Sequence, residues 1–225
     1  MHTMKRQNQR GGSALEFALV AITLVPMILG TSVFGINMIK IEQTEQVSHE
    51  AGRLFAAGVD LSQPGNQTLL TTIGNDVGLS TTSSQSNAVL ILSALTYVDV
   101  ATCAAAGHVD SNGNPSGCTN YGQWVFTIRL TIGNPSIRSS SLGSPLTGGP
   151  TGVTINSDGT IPLNQYVTEA GAVATFSSIN PYSNVGGNAS GLPSGQFLYI
   201  AEAAANTFQM APFTNLGSTY AFGIF

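Results

Sequence analysis

Gly11-Gly12-Ser13-Ala14-Leu15-Glu16-Phe17, followed by apolar sequence as far as Ile39, is the stretch whose reading decides the fold. Residues 17–39 contain no Asp, Glu, Lys or Arg, a run of 23 residues, and about 20 suffice to cross a bilayer as helix. Three of the seven basic residues, Lys5, Arg6 and Arg10, precede it. Basic residues flanking a span stay in the cytoplasm, so the expected orientation is N-terminus inside and bulk outside. Glu16 stands alone at the head of this run. A carboxylate costs about 2.5–3.5 kcal/mol at the bilayer centre and less towards its edge, yet a plain anchor has no need of one. Glu16 therefore reads as functional, against the plainer alternative of a helix-start acid favoured by the macrodipole. Pro26 lies near the middle, where it removes one backbone donor and is expected to kink the helix.

A cleavable secretory signal has a shorter apolar core of about 7–15 residues and ends sharply. Here residues 40–58 continue in helical phase, with Ile36, Ile39, Gln43, Val47, Ala51, Leu54 and Phe55 at three- and four-residue steps. One helix over residues 12–58 would be roughly 70 Å long. Its first half is apolar all round and its second half amphipathic, an anchor continuous with the spine of a following domain.

These residues resemble a family. A short basic leader, a glycine cleavage point, a glutamate at the fifth position beyond it, then Phe and an apolar helix look like the type IV pilin-like proteins. The wording Gly-Gly-Ser-Ala-Leu-Glu-Phe-Ala-Leu-Val is similar to the TadE/TadG-like minor pilins of tight-adherence (Tad, Flp) pili. A second point of likeness is residues 195–202, ending in Glu202, which resembles a late glutamate-bearing strand of TadE-like proteins. The resemblance implies a leader at 1–11, a transmembrane and spine helix at 12–58 and an extracytoplasmic head at 59–225. It implies cleavage between Gly11 and Gly12 by a prepilin peptidase, or one residue later, and a start at Met1 or Met4. Glu16, followed by Phe17, would pair with the new amino group of Gly12 and set subunit register. The implied partners are other pilin subunits, the peptidase, an inner-membrane assembly platform and membrane lipid. The implied location is the inner membrane, then the cell surface, with surface attachment as the role of the whole filament. Major Flp pilins are much shorter, which favours a minor subunit. A membrane-tethered binding module that never polymerises and a secretion-system pseudopilin remain the alternatives.

Composition narrows the rest. Charged residues are 8% of the chain, unlike an ordinary cytoplasmic enzyme. Beyond Gly11 four basic residues face eleven acids, near −7, so a basic stripe for nucleic acid is absent. About 165 residues follow Gly58, enough for one domain with a core. The fold class expected is α+β, a mostly antiparallel sheet with long loops. Residues 68–79 read as a short helix, 87–101 as a strand and 121–132 as another. In the last, Trp124, Phe126, Ile128, Leu130 and Ile132 alternate against Val125, Thr127, Arg129 and Thr131. Arg129 reads as a solvated or paired charge. Residues 136–152 read as a long loop or flexible excursion, 153–162 as a small hairpin around Asp158-Gly159, and 166–176 as helix or strand. A polar tract at 177–195 precedes a late strand at 196–203 that closes the sheet. Phe222, Ile224 and Phe225 are expected to be tucked into the domain or against a partner.

Cys103 and Cys118 bracket fourteen residues. Outside an inner membrane a disulfide is the natural reading, worth about 3 kcal/mol for a loop of this size. The spacing fits no zinc signature. Residues 110–114 begin like a calcium loop, but Pro115 and Tyr121 occupy positions where Gly and Glu are required, so a turn is expected and no metal. Asn66 and Asn188 head glycosylation triplets that are common by chance. His2, His49 and His108 are scattered, and no nucleophile elbow or phosphate loop stands out. Asp99 and Glu202 are candidate sheet neighbours, which alone does not make a glycosidase. The expectation is a structural protein with no catalytic residues and no cofactor.

Overall fold

The computed structural model describes residues 9–175, 195–210 and 217–225, so residues 1–8 of the expected leader and most of the polar tract at 177–195, with Asn188, lie outside it. The chain divides into two compact units, Met1–Ile39 with Thr207–Gly217, and Lys40–Asn206 with Ser218–Phe225. Helix α1 runs over Gln9–Ala56 with Pro26 inside it. It is followed by α2 (Pro64–Ile73), β1 (Ala88–Tyr97), α3 (Val100–Ala105), β2 (Trp124–Gly133), α4 (Leu163–Thr168), β3 (Phe197–Asn206) and β4 (Ser218–Ile224). The architecture is α+β: a long apolar N-terminal helix, then an antiparallel four-stranded sheet in the order β2-β1-β3-β4.

In the second unit the central place of β1 follows from its sequence. AVLILSALTY is apolar on both sides, nine of its ten residues are buried, and such a strand needs cover on both faces. One face is covered by α1 and the α2 region: Val47, Ala51 and Phe55 pack with Leu61, Leu70, Val77 and Leu79 against Leu90, Leu92, Ala201 and Ala203. The row of alanines on β3 lets the helix come close enough for Ser48 Oγ to donate to the Ala201 carbonyl at 2.9 Å. The buried stripe of α1 here is Thr44, Val47, Ser48, Ala51 and Phe55. Ile36 and Ile39, expected on the same stripe, are 42% and 56% exposed. The other face carries Leu95, Phe126, Leu198 and Ile200 under Leu142, Val153, Ile161 and Val167.

Four expectations need correction. The even-numbered apolar residues of β2 do not share a face. Ala94 pairs with Ile128 and Leu95 with Phe126, leaving Thr127 unmatched. This bulge reverses the phase, sending Phe126 to one core and Ile128, Leu130 and Ile132 to the other. The late strand does not close the sheet: β3 lies between β1 and β4, and the terminal apolar residues form the edge strand β4. Strand β1 stops at Tyr97, because Asp99 caps α3 by accepting from Thr102 N at 2.8 Å. Finally, the turn at Asp158-Gly159 forms, with Gly159 at φ +82°, but its flanks make only isolated bridges and no hairpin.

The first helix of the head starts earlier than expected, at Pro64 in a first-turn position, and ends at Gly74. Residues 163–172 resolve as α4 and a short 3₁₀ turn. Cys103 on α3 and Cys118 are bonded. Between them Asp110 Oδ1 accepts from the backbone of Asn112 and Asn114, each at 2.8 Å, which holds its carboxyl below the usual range and forms the turn.

Candidate membrane-spanning surface

In the first unit α1 presents apolar side chains on every side. Phe17, Ile22 and Met27 are 76%, 69% and 70% exposed, and only 6% of the helix's most apolar window is buried. A core helix of a soluble domain would be covered; this one is not, and it is long and apolar enough to cross a membrane. Its few polar groups are satisfied from within. Thr23 Oγ1 donates to the Val20 carbonyl at 3.0 Å, Thr31 Oγ1 to Met27 at 2.9 Å and Ser32 Oγ to Ile28 at 2.8 Å. That is what a helix in hydrocarbon requires, since no water is present to take the hydroxyls.

Glu16 is exposed near the beginning of this surface, beside Phe17, while Gly11 and Gly12 lie in the first turn of α1. The next carboxylate along the chain is Glu42. Asn37, by contrast, is buried. Its Nδ2 donates to the Phe208 carbonyl at 3.1 Å and its Oδ1 accepts from Phe208 N at 2.8 Å. The amide thus exchanges two hydrogen bonds with one backbone residue, as a neighbouring strand would. Thr207 N and Oγ1 in turn both donate to the Gly217 carbonyl.

Sequence reasoning missed a buried polar cluster in the second unit. Glu202 is 1% exposed on β3. Its Oε1 accepts from Ser141 N at 2.8 Å, Ser141 Oγ at 2.7 Å and Tyr220 Oη at 2.7 Å, and its Oε2 accepts from Ser140 Oγ. Arg129 is buried beside it and donates to Ser93 Oγ at 2.6 Å, Ser140 Oγ at 3.3 Å, the Gly143 carbonyl at 3.0 Å and Ser144 Oγ at 3.2 Å. Burial pushes the guanidinium down to about 10, against an upward pull from Glu202. Tyr220 is pushed up to about 12, first by burial and further by Glu202. Arg138 lies over the Tyr220 ring at 3.8 Å from its centroid.

The stretch read as a flexible excursion is therefore the strap that satisfies two buried charges. Asp99 is not among them, because it caps α3 while Glu202 pairs with Ile91 and Phe222. The only hint in the sequence was one acid in an Ala-rich strand and one arginine in an apolar strand. The hollow beside Glu202, Arg138 and Tyr220 has no interior volume for a ligand, so the cluster fastens loop to sheet. A shallow groove of about 220 Å³ lies elsewhere on the head, lined by Phe55, Leu61, Leu130 and Tyr199 with Asp60 and Asp158 at its rim. Both carboxyls are held below the usual range, chiefly by the hydroxyls of Ser62 and Thr160.

The chain is thus an α+β protein with one helix fit to cross a membrane and a disulfide-bonded sheet domain. Compared with known families, curated proteins and solved structures, it matches none.

Proposed function

We propose that this chain is a pilin-like structural subunit of the TadE/TadG-like kind. In this reading a prepilin peptidase cuts between Gly11 and Gly12, and the subunit then assembles through α1 into a Tad-type filament for surface attachment. The observation that carries the reading is Glu16. It is the one carboxylate before Glu42, and it stands five residues beyond the candidate cut at the head of an uncovered apolar helix. An acid there gains most when it meets an amine, and the cut supplies one on Gly12 of the same or a neighbouring chain. The peptidase must unwind the first turn of α1 to reach the bond. Two adjacent glycines make that turn about 1 kcal/mol per residue easier to open than alanines would.

Assembly then follows from the physics of the helix. Side chains exposed on all sides are covered first by lipid and, in the filament, by the α1 helices of neighbours. The direction of insertion set by Lys5, Arg6 and Arg10 leaves the sheet domain outside the inner membrane, where Cys103 and Cys118 oxidise. N-terminal sequencing of membrane-extracted protein is expected to start at Gly12, and Glu16→Ala to abolish incorporation into filaments. An intact basic leader would refute the reading in favour of a tethered module, as would normal filaments from Glu16→Ala.

A further inference from the structure

Asp60 and Asp158, at the rim of the groove on the head, lie close enough to repel one another. Each is anchored on one side. Asp60 Oδ1 accepts from Ser62 N at 3.0 Å and its Oδ2 from Gln63 Nε2 at 2.9 Å. Asp158 Oδ1 accepts from Thr160 N at 2.9 Å and Thr160 Oγ1 at 2.6 Å. No hydrogen bond from another described residue reaches Asp158 Oδ2, and among the described residues no Lys or Arg lines the groove. Its floor is apolar, with Phe55, Leu130 and Tyr199. A second hollow of about 220 Å³ shares Ile128, Thr160 and Tyr199 and runs on to Tyr166 and Phe197.

Two like charges beside an apolar, aromatic floor suit a cation carried on an apolar stem. Arginine is that group, since its methylenes and planar guanidinium lie on rings while its N–H fork takes carboxylate oxygens. The charge inventory of the chain names the donor. Of the four basic residues beyond Gly11, Lys40 donates to the Asn206 carbonyl at 3.1 Å, Arg129 is buried, and Arg138 lies over the Tyr220 ring. Arg53 is 72% exposed, and its ion pair, to Glu50 at 3.9 Å, is open to water at both ends. Pairs of that kind are worth little, so exchanging Glu50 for two carboxylates over a desolvated floor is favourable. Arg53 points away from the groove of its own chain: Phe55 faces the sheet, and a residue two positions earlier lies about 200° round the helix.

We infer that Arg53 of one copy docks in the groove of the next, its stem against Phe55 and Tyr199 and its guanidinium on Asp60 and Asp158. This rests on the assembly reading and adds to it a contact between sheet domains, outside the membrane. Cation and groove lie on opposite sides of α1, so the contact is head-to-tail and repeats along an open filament instead of closing a pair.

The test uses filaments sheared from cells that co-express two full chains. One carries Arg53→Lys with Asp60→Asn and Asp158→Asn, so it has an amine at position 53 and no acids in its groove. The other is wild type, whose arginine a carbodiimide does not couple. The reagent joins an amine to a carboxylate only where the two touch, so a bond from residue 53 to Asp60 or Asp158 arises only between chains. Mass spectrometry of the digested filaments is expected to find that bond. Filament yield from Arg53→Asp alone, which brings three carboxylates together, is expected to fall at least about tenfold. Adding Asp60→Arg and Asp158→Arg to that variant should restore it. Filaments in which residue 53 is joined to another carboxylate, or to none, overturn the inference and leave the assembly reading standing. Undiminished filaments from Arg53→Asp do the same. Normal filaments from Glu16→Ala, or no filaments from the wild type, remove the assembly reading and this inference with it.

Discussion

Changing Glu202→Gln deletes one buried charge while keeping the side chain's shape. Glu202 is 1% exposed and accepts four hydrogen bonds, from Ser140, Ser141 twice and Tyr220. Gln retains one acceptor oxygen, and the serine hydroxyls can turn to accept from its amide, so the hydrogen-bond loss alone is modest. The greater cost falls on Arg129, left buried with its Ser93, Ser140, Gly143 and Ser144 contacts but no counter-charge. Arg129 and Glu202 are joined through the Ser140 hydroxyl, not in direct contact, so the scale is that of hydrogen bonds to charged groups, about 1.5–3 kcal/mol, and the upper end applies because several are disturbed together. A loss of about 3 kcal/mol is expected, which at a slope near 2 kcal/mol/M lowers the urea midpoint by about 1.5 M. Urea is the right denaturant because, being uncharged, it unfolds the protein without changing the ionic strength. Buried Trp124 reports unfolding of the full chain in detergent. In Arg129→Met/Glu202→Gln the second change should cost at least 1 kcal/mol less than it does alone. Additive effects, or a single-variant loss below about 1 kcal/mol, would refute the claim that the two charges hold each other in place.

Gly52→Ala should destabilise by about 1–3 kcal/mol, because a Cβ there would lie 2.0 Å from Phe225 Cε2. Phe225→Leu should relieve part of that cost in the same urea titration. Replacing Cys103 and Cys118 together by alanine should lower stability by about 3 kcal/mol, with a matching shift in the wild type under reductant. Tyr220 holds its proton more tightly folded, at about 12 against 10.0 unfolded. Its contribution is therefore complete below pH 10 and disappears as pH rises towards 12. Arg129, with its lowered value, works in the opposite direction over that range. The decisive measurement is therefore the stability difference between wild type and Tyr220→Phe, which should shrink between pH 10 and 12.

Some of this molecule was open to reading residue by residue. The long helix announces itself because a charge-free run followed by three- and four-residue apolar steps is local information, and α1 covers Gln9–Ala56 as a consequence. Strands β1 and β2 were likewise legible as continuous or alternating apolar runs. The Cys103–Cys118 bond was expected and is present. The phase of β2 was not legible, since one unmatched residue at Thr127 reverses it and nothing in the alternation marks the place. β4 was read only as an apolar tail, because its strand character comes from pairing with β3 and from α1 residues such as Thr44, whose hydroxyl meets that of Thr219 at 2.8 Å.

The sequence alone thus determined which segments avoid water, since that depends on composition and period within a dozen residues. Only the tertiary structure decided which polar groups meet. Glu202 lies sixty-odd residues from Ser140 and Ser141, and Asn37 lies 171 residues from Phe208. Hydrogen bonds reach about 3 Å whatever the separation along the chain, so no pattern of neighbours in the sequence could have named those partners.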